Sequence, residues 1–375
     1  MRILRVVHRL YPPTVGGLSF HADLLSTEQA RAGHEVVVLT TQEAGYPKHE
    51  RKDGYEIWRF KPLFRPLKNP ITVGLLPSLL LNDKFDILHA HSHLMFTTIL
   101  AAIKRHQSAK PFVITNHGFR VKRGRLLDYA QNAYLSSLGR FSLTKADCVI
   151  SFTEAERSRT ISAGVAPNKA TVIPNGVDTK FFTPTKMQRI PHSVLWTGRY
   201  VREKGLPYLM EAARIVSKHF PDSKFILVGD GPERGNLAEL RDGLKLGGNV
   251  LFEPEMNQRG ILSLLNRCSM FALPSLSEGF PSSVLEAMAC ERPVVVTGGI
   301  GMEEVVGNAG LYVPPRNPAA LAEAIEKLLR DEGLAGELGE RGRSRAVSLY
   351  DWRQIVPEIN ELFERVIDSV TREKS

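Results

Sequence analysis

Cysteine is scarce in this chain. Cys148, Cys268 and Cys290 are its 3 cysteines in 375 residues, and none stands at CxxC spacing. That argues against a disulfide framework or a cysteine-built zinc site and points to a reducing, cytoplasmic setting. Long apolar runs are missing too. Arg2 and Arg5 interrupt the N-terminal apolar stretch, and 71–81, the richest run, carries Pro77. It falls short of the roughly 20 residues a helix needs to cross a bilayer. Neither a secretion signal nor a membrane span is expected. The 71–81 segment reads as a core helix, the competing reading being a segment that dips into a membrane interface between Lys68 and Lys84.

Two phosphate and metal signatures are absent as well. Gly16-Gly17 follows the first strand pattern without a third glycine at the dinucleotide offset, and Arg234 stands where a pyrophosphate loop opening at Gly229 would want glycine. NAD binding is disfavoured. No Asp-x-Asp string exists, and Glu253-Pro254-Glu255 is the one obvious carboxylate pair for a divalent ion. Acidic residues are missing from 87–127, where Lys104, Arg105, Lys110, Arg120, Lys122, Arg123 and Arg125 fall. Residues 1–185 carry 25 Lys and Arg against 14 Asp and Glu, a net +11, while 186–375 carry 24 against 26, a net −2. A basic first half attracts anions: a phosphorylated acceptor, an acidic membrane face or nucleic acid.

The length suits two doubly wound α/β domains. Strand patterns at 3–7, 36–40, 55–60, 111–115 and 146–151 alternate with helical ones in the first half; 193–197, 225–228, 250–252, 270–273 and 293–297 do so in the second. Residues 85–93 end a strand with His89, His91 and His93 on alternating positions, which predicts one shared face. A metal reading of these three is disfavoured, because no carboxylate or cysteine follows at ligand spacing. His117 ends the next strand beside Gly118, where parallel sheets bind ligands.

The second half centres on 274–290. The apolar run 270–273 stops at Pro274, a polar loop follows, and Pro281 reads as the first position of a helix anchored by Val284, Leu285 and Met288. Free N–H groups at Gly279, Phe280, Ser282 and Ser283 would meet an anion at the helix N-terminus. Glu278 and Glu286 bracket that seat and can accept from hydroxyls. A phosphate seat flanked by hydroxyl acceptors suits a nucleotide-sugar.

The string from Glu278 through Gly279-Phe280-Pro281 to Leu285-Glu286-Ala287-Met288-Ala289 resembles the Glu-x7-Glu signature of retaining glycosyltransferases of family 4. Similar strings run along the chain: Gly16-Gly17, Asn116-His117-Gly118, Ile173-Pro174-Asn175-Gly176-Val177-Asp178, and Gly198-Arg199 followed by Lys204-Gly205. The resemblance implies an α/β GT-B fold, two Rossmann-like domains facing a cleft. The N-terminal acceptor-side domain would cover 1–185, with a last helix at about 355–375 packing back on it, and the nucleotide-sugar domain would cover 186–354. It implies a donor site of Gly16, Gly17, Gly198, Met256, Gly279, Phe280, Pro281, Ser282, Ser283 and Glu286. Arg199 and Lys204 would meet the diphosphate, with Glu278 and His117 as the other catalytic residues, His117 touching the donor sugar. The chain departs from the family at Glu253-Pro254, where a glycine usually follows Phe252, and this leaves the nucleobase open.

Taken together, the motifs imply a retaining, metal-independent hexosyltransferase with a UDP- or GDP-sugar donor, no cofactor and no nucleic-acid partner. Arg120, Lys122, Arg123 and Arg125 would serve an anionic or lipid-linked acceptor, or the membrane face itself. A sugar-nucleotide epimerase of the same architecture and a non-catalytic anion-binding protein remain as alternatives. Sugar, linkage and oligomeric state stay open.

Overall fold

A computed structural model describes residues 1–12, 14, 16–66, 69–108, 110–118, 129 and 133–372. The chain divides into two compact units, Met1–Asn175 with Trp352–Ser375, and Gly176–Asp351.

The first unit is built on an eight-stranded sheet in the order His49–Lys52, Tyr55–Phe60, Glu35–Thr41, Arg2–Val6, Ile87–His91, Phe112–Thr115, Cys148–Ser151, Ala170–Val172. All pairings are parallel except that of the first two strands. The central strands are buried along nearly their whole length, as parallel strands covered on both faces must be. The His49–Lys52 edge strand escapes a sequence reading because His-Glu-Arg-Lys has no apolar residue to reveal a period. Its signal is the turn instead: Asp53 (φ 47°) and Gly54 (φ 93°) both take the positive φ that a two-residue hairpin demands.

The 71–81 segment forms only a short helix, Leu75–Leu80, with Leu75 and Leu79 buried in the core. Its end does not share that fate, since Leu81 is 86% exposed.

The second unit holds six parallel strands in the order Val250–Glu253, Lys224–Val228, Ser193–Thr197, Met270–Leu273, Val294–Thr297, Gly310–Val313. In chain order this is 3-2-1-4-5-6, the doubly wound arrangement whose strand order reverses between the first and fourth strands. Helices Leu206–His219, Arg234–Gly243, Gln258–Arg267, Ser282–Ala289 and Pro318–Arg330 connect and cover the strands.

The boundaries fall earlier than the sequence reading puts them, at 175 and 351 rather than 185 and 354. Residues after Asn175 are built into the second unit. Val177 donates its N–H to Tyr350 O at 2.7 Å, Val177 and Phe182 lie in the second core, and Thr179 Oγ1 donates to the Asp351 carboxylate. Arg343 Nη1 donates to the carbonyls of Thr179, Phe182 and Ala289 at 2.9, 2.9 and 2.7 Å. The last helix, Trp352–Arg372, belongs to the first unit and buries Trp352, Ile355, Ile359 and Phe363 in its core. A fully buried side chain such as Ile359 or Phe363 contributes about 1.5–3 kcal/mol.

Candidate active site

In an open α/β sheet the ligand site lies beyond the carboxyl ends of the strands where their order reverses. For the second unit those ends are Thr197, leading into Gly198-Arg199, and Leu273, leading into Pro274–Glu278. The two loops are tied together. Leu276 donates its N–H to Glu203 O at 2.7 Å, and Gly205 (φ 65°) lies hard against Pro274. Lys204 Nζ donates to Glu278 Oε1 at 2.7 Å, and Ser275 Oγ donates to the same oxygen at 2.5 Å.

The two cations expected to meet a diphosphate differ in their surroundings. Lys204 is already paired, because Glu278, with a side chain only 8% exposed, needs a positive partner when ionised. Arg199 is exposed, and its guanidinium has no bonding partner among the described residues. Arg202 lies outside the cluster, 84% exposed and 3.4 Å from Glu233. Ser275 belongs to the cluster too, a residue the motif reading passed over.

Helix Ser282–Ala289 begins one residue later than expected. Pro281 is its cap rather than its first helical residue, since ψ 108° is extended and Val284 N–H reaches back to Pro281 O at 3.1 Å. No side chain caps the helix and no acidic residue sits in its first turn, so its N-terminal dipole is open to an anion. One turn further on, the Glu286 carboxyl receives no hydrogen bond and no ion pair from the described residues. Burial alone pushes its pKa up from 4.5 to about 7. A half-buried acid with no donor is poised to accept one.

The remaining residues of this group support the frame. Gly198 donates its N–H to Val228 O at 3.0 Å, and a Cβ on Gly229 would stand 1.9 Å from Gly198 O. Gly229 thus serves close backbone packing rather than a dinucleotide phosphate. Phe280 meets the Tyr350 ring edge-on at 5.6 Å, and Met256 packs against the core beside Gly260.

In the first unit the reversal lies between Arg2–Val6 and Ile87–His91, and histidines gather at those strand ends. The three alternating histidines do not share one fate. His89 Nδ1 accepts from Arg5 Nε at 3.3 Å and its Nε2 meets Thr115 Oγ1 at 2.8 Å; His91 Nδ1 lies 3.1 Å from His117 Nε2; His93 Nδ1 meets Asn116 Oδ1 at 2.8 Å. The strand stops at His91, and Ser92 at φ 66° turns the chain, which breaks the alternation before His93.

His21, from helix Gly17–Arg31, joins His91 and His117 with ring centroids 5.5 and 5.0 Å away. Burial holds every ring here neutral: His21 and His93 fall to about 4, His8 to about 3, and His89, His91 and His117 well below the usual value. Among the described residues, His21, His91 and His117 form the one cluster with metal-ligand geometry. Local spacing could not have disclosed His21, which stands mid-helix with no motif around it.

Gly16 and Gly17 cap and begin that helix, exposed to solvent. Arg120, Lys122, Arg123 and Arg125 lie outside the described residues.

Comparison with known proteins follows the two-unit division. Residues 15–181 match the model of Glycosyltransferase Family 4, and residues 184–345 match that of Glycosyl transferases group 1. An uncharacterized glycosyltransferase of Methanocaldococcus jannaschii is 26% identical over 99% of this chain and 100% of its own length. The glycogen synthase of Mycobacterium tuberculosis is 27% identical, covering 97% of this chain and 94% of that protein. Among solved structures, a sucrose-phosphate synthase from Thermosynechococcus elongatus superposes with TM-score 0.83 at 22% identity, over 98% of this chain and 100% of that one. Anabaena HepE in complex with UDP-glucose gives 0.81 at 19% identity, over 97% and 100%. The matched models and the shared fold make this chain a glycosyltransferase of family 4 with the GT-B architecture.

Proposed function

We propose that the chain is a retaining hexosyltransferase that moves a sugar from a nucleoside-diphosphate donor to an acceptor hydroxyl without an essential metal. Glu286 is the observation that carries this reading: a half-buried carboxyl with no donor of its own, one turn inside an uncapped helix N-terminus. Ribose hydroxyls would donate to it while the diphosphate sits at the helix end. Uridine is the favoured base, because the similar HepE structures hold UDP and UDP-glucose.

In the proposed reaction the bond from the anomeric carbon to the phosphate oxygen breaks, and a bond to the acceptor oxygen forms on the same face. The departing phosphate oxygen takes the hydroxyl proton, so no side chain need act as base. Arg199, Lys204 and the helix dipole hold the charge that develops on the diphosphate. Glu278 would retain Lys204 in place until the diphosphate arrives, and His117 keeps its assignment to the donor sugar.

A membrane-side acceptor is the reading favoured for the basic half. Leu63 and Phe64, 73% and 59% exposed, stand between Lys61 and Arg65, and Leu81 precedes Lys84. Cations beside exposed apolar side chains suit an anionic lipid surface. Incubation with UDP-glucose, UDP-N-acetylglucosamine and GDP-mannose, with product anomers assigned by NMR, tests the transfer. An inverted product or an isomerised donor would overturn it.

A further inference from the structure

We infer that His21, His91 and His117 form a site for one transition-metal ion of the zinc class, held by three imidazole nitrogens with a fourth position open. The site goes beyond the transfer reading but shares His117 with it, so an ion held there would displace the donor-sugar contact of His117 and takes no part in the proposed transfer.

Three elements supply the ligands: helix Gly17–Arg31, the end of strand Ile87–His91, and the turn after Phe112–Thr115. One ring nitrogen of each histidine lies within 4.8 Å of those of the other two. Tetrahedral zinc with bonds of about 2.0–2.1 Å needs ligand nitrogens about 3.4 Å apart, so small ring rotations close the set. His91 Nδ1 and His117 Nε2 already stand at 3.1 Å.

The hydrogen-bonding of His21 points to a ligand independently. Its Nδ1 lies 2.9 Å from Asn175 Oδ1, an oxygen that can only accept, so the proton is on Nδ1 and Nε2 presents a lone pair. That Nε2 is buried with no donor facing it. An unsatisfied buried acceptor is costly, and a bound cation would remove that cost. An amide oxygen fixing the far nitrogen is also how metal-bound imidazoles are commonly oriented. Nitrogen-only ligation selects zinc, copper, nickel or iron over magnesium or calcium, which prefer oxygen. The Arg5 guanidinium, buried behind His89, opposes a bare dication, so a negatively charged fourth ligand such as hydroxide completes the site.

The test reads the metal, not the transfer rate, so failure of either reading leaves the other standing. Full-length protein is equilibrated with Zn²⁺, desalted and analysed for metal content. One equivalent should remain on the wild type and on His192→Ala, a surface histidine of the second unit. Retention should fall to about a tenth or less in His21→Gln, since even an outer-shell partner is worth 10–100-fold. Co²⁺ loading of the wild type should give the intense visible bands of a four-coordinate ion, a readout that stands even where the variant fails to fold. Wild type that retains no zinc, His21→Gln that retains a full equivalent, or the pale spectrum of six-coordinate cobalt would each overturn the site.

Discussion

A Cβ placed on Gly205 would lie 2.0 Å from the carbonyl oxygen of Pro274. The loop that carries Lys204 and the loop that carries Glu278 therefore touch backbone to backbone, with Gly205 in the left-handed region where side chains are strained. Gly205→Ala should lower stability by about 3 kcal/mol or more, combining backbone strain with displacement of the Pro274 loop. Nucleotide binding should weaken with it. An unfolding midpoint and a UDP affinity both equal to wild type would show that the loops are not so coupled.

Charge on the departing diphosphate is assigned to Arg199 and Lys204. Each substitution to alanine should cut turnover by about two orders of magnitude, the usual cost of removing one preorganised partner. Lys204→Ala carries a second effect, because it strands Glu278 beside Ser275 without its cation. Initial-rate kinetics at saturating donor check both, and near-normal turnover in the pair would refute the assignment.

Glu286 gives a pH dependence with a definite sign. Its folded pKa of about 7 exceeds its ordinary 4.5, so it stabilises the ligand-free fold below about 4.5, and that contribution is lost as pH rises towards 7. The ionised form accepts hydroxyls better, so UDP affinity should rise through pH 7 even as the empty protein loses stability. Glu286→Gln should bind UDP more weakly and flatten both profiles; calorimetry and thermal melts from pH 5 to about 8.5 span the transition. Unchanged profiles would remove Glu286 from the ribose site.

Transfer should proceed at full rate in excess chelator, since cationic side chains and a helix N-terminus face the proposed diphosphate position. A rate that collapses and returns specifically with Mg²⁺ would contradict this.

The basic half should bring the protein to anionic vesicles at low salt. Joint neutralisation of Arg120, Lys122, Arg123 and Arg125 should weaken sedimentation by up to about 1 kcal/mol per charge and reduce its salt dependence. Donor affinity should not change. Wild type that ignores anionic vesicles would return these residues to a soluble acceptor.

The sequence by itself determined what is local along the chain. A strand, a polar loop and a helix start occupy consecutive residues from Met270 to Ala289, so the helix N-terminus and Glu286 could be read without coordinates. The same holds for the alternation of strands and helices, and for Lys204-Gly205 at the mouth of the next helix. Tertiary structure alone decided which of these residues meet. Lys204 and Glu278 are 74 positions apart, and only the 3-2-1-4 strand order makes their loops neighbours. His21 carries no local signal, yet it shares a cluster with His91 and His117 because the second turn of helix Gly17–Arg31 brings its ring beside theirs at the strand ends. His93 leaves that face because Ser92 takes a left-handed turn that a period of two cannot foresee. Periodicity reports which side of an element faces the core; partners across the sheet are set by strand order and burial, which act through space between residues distant in the chain.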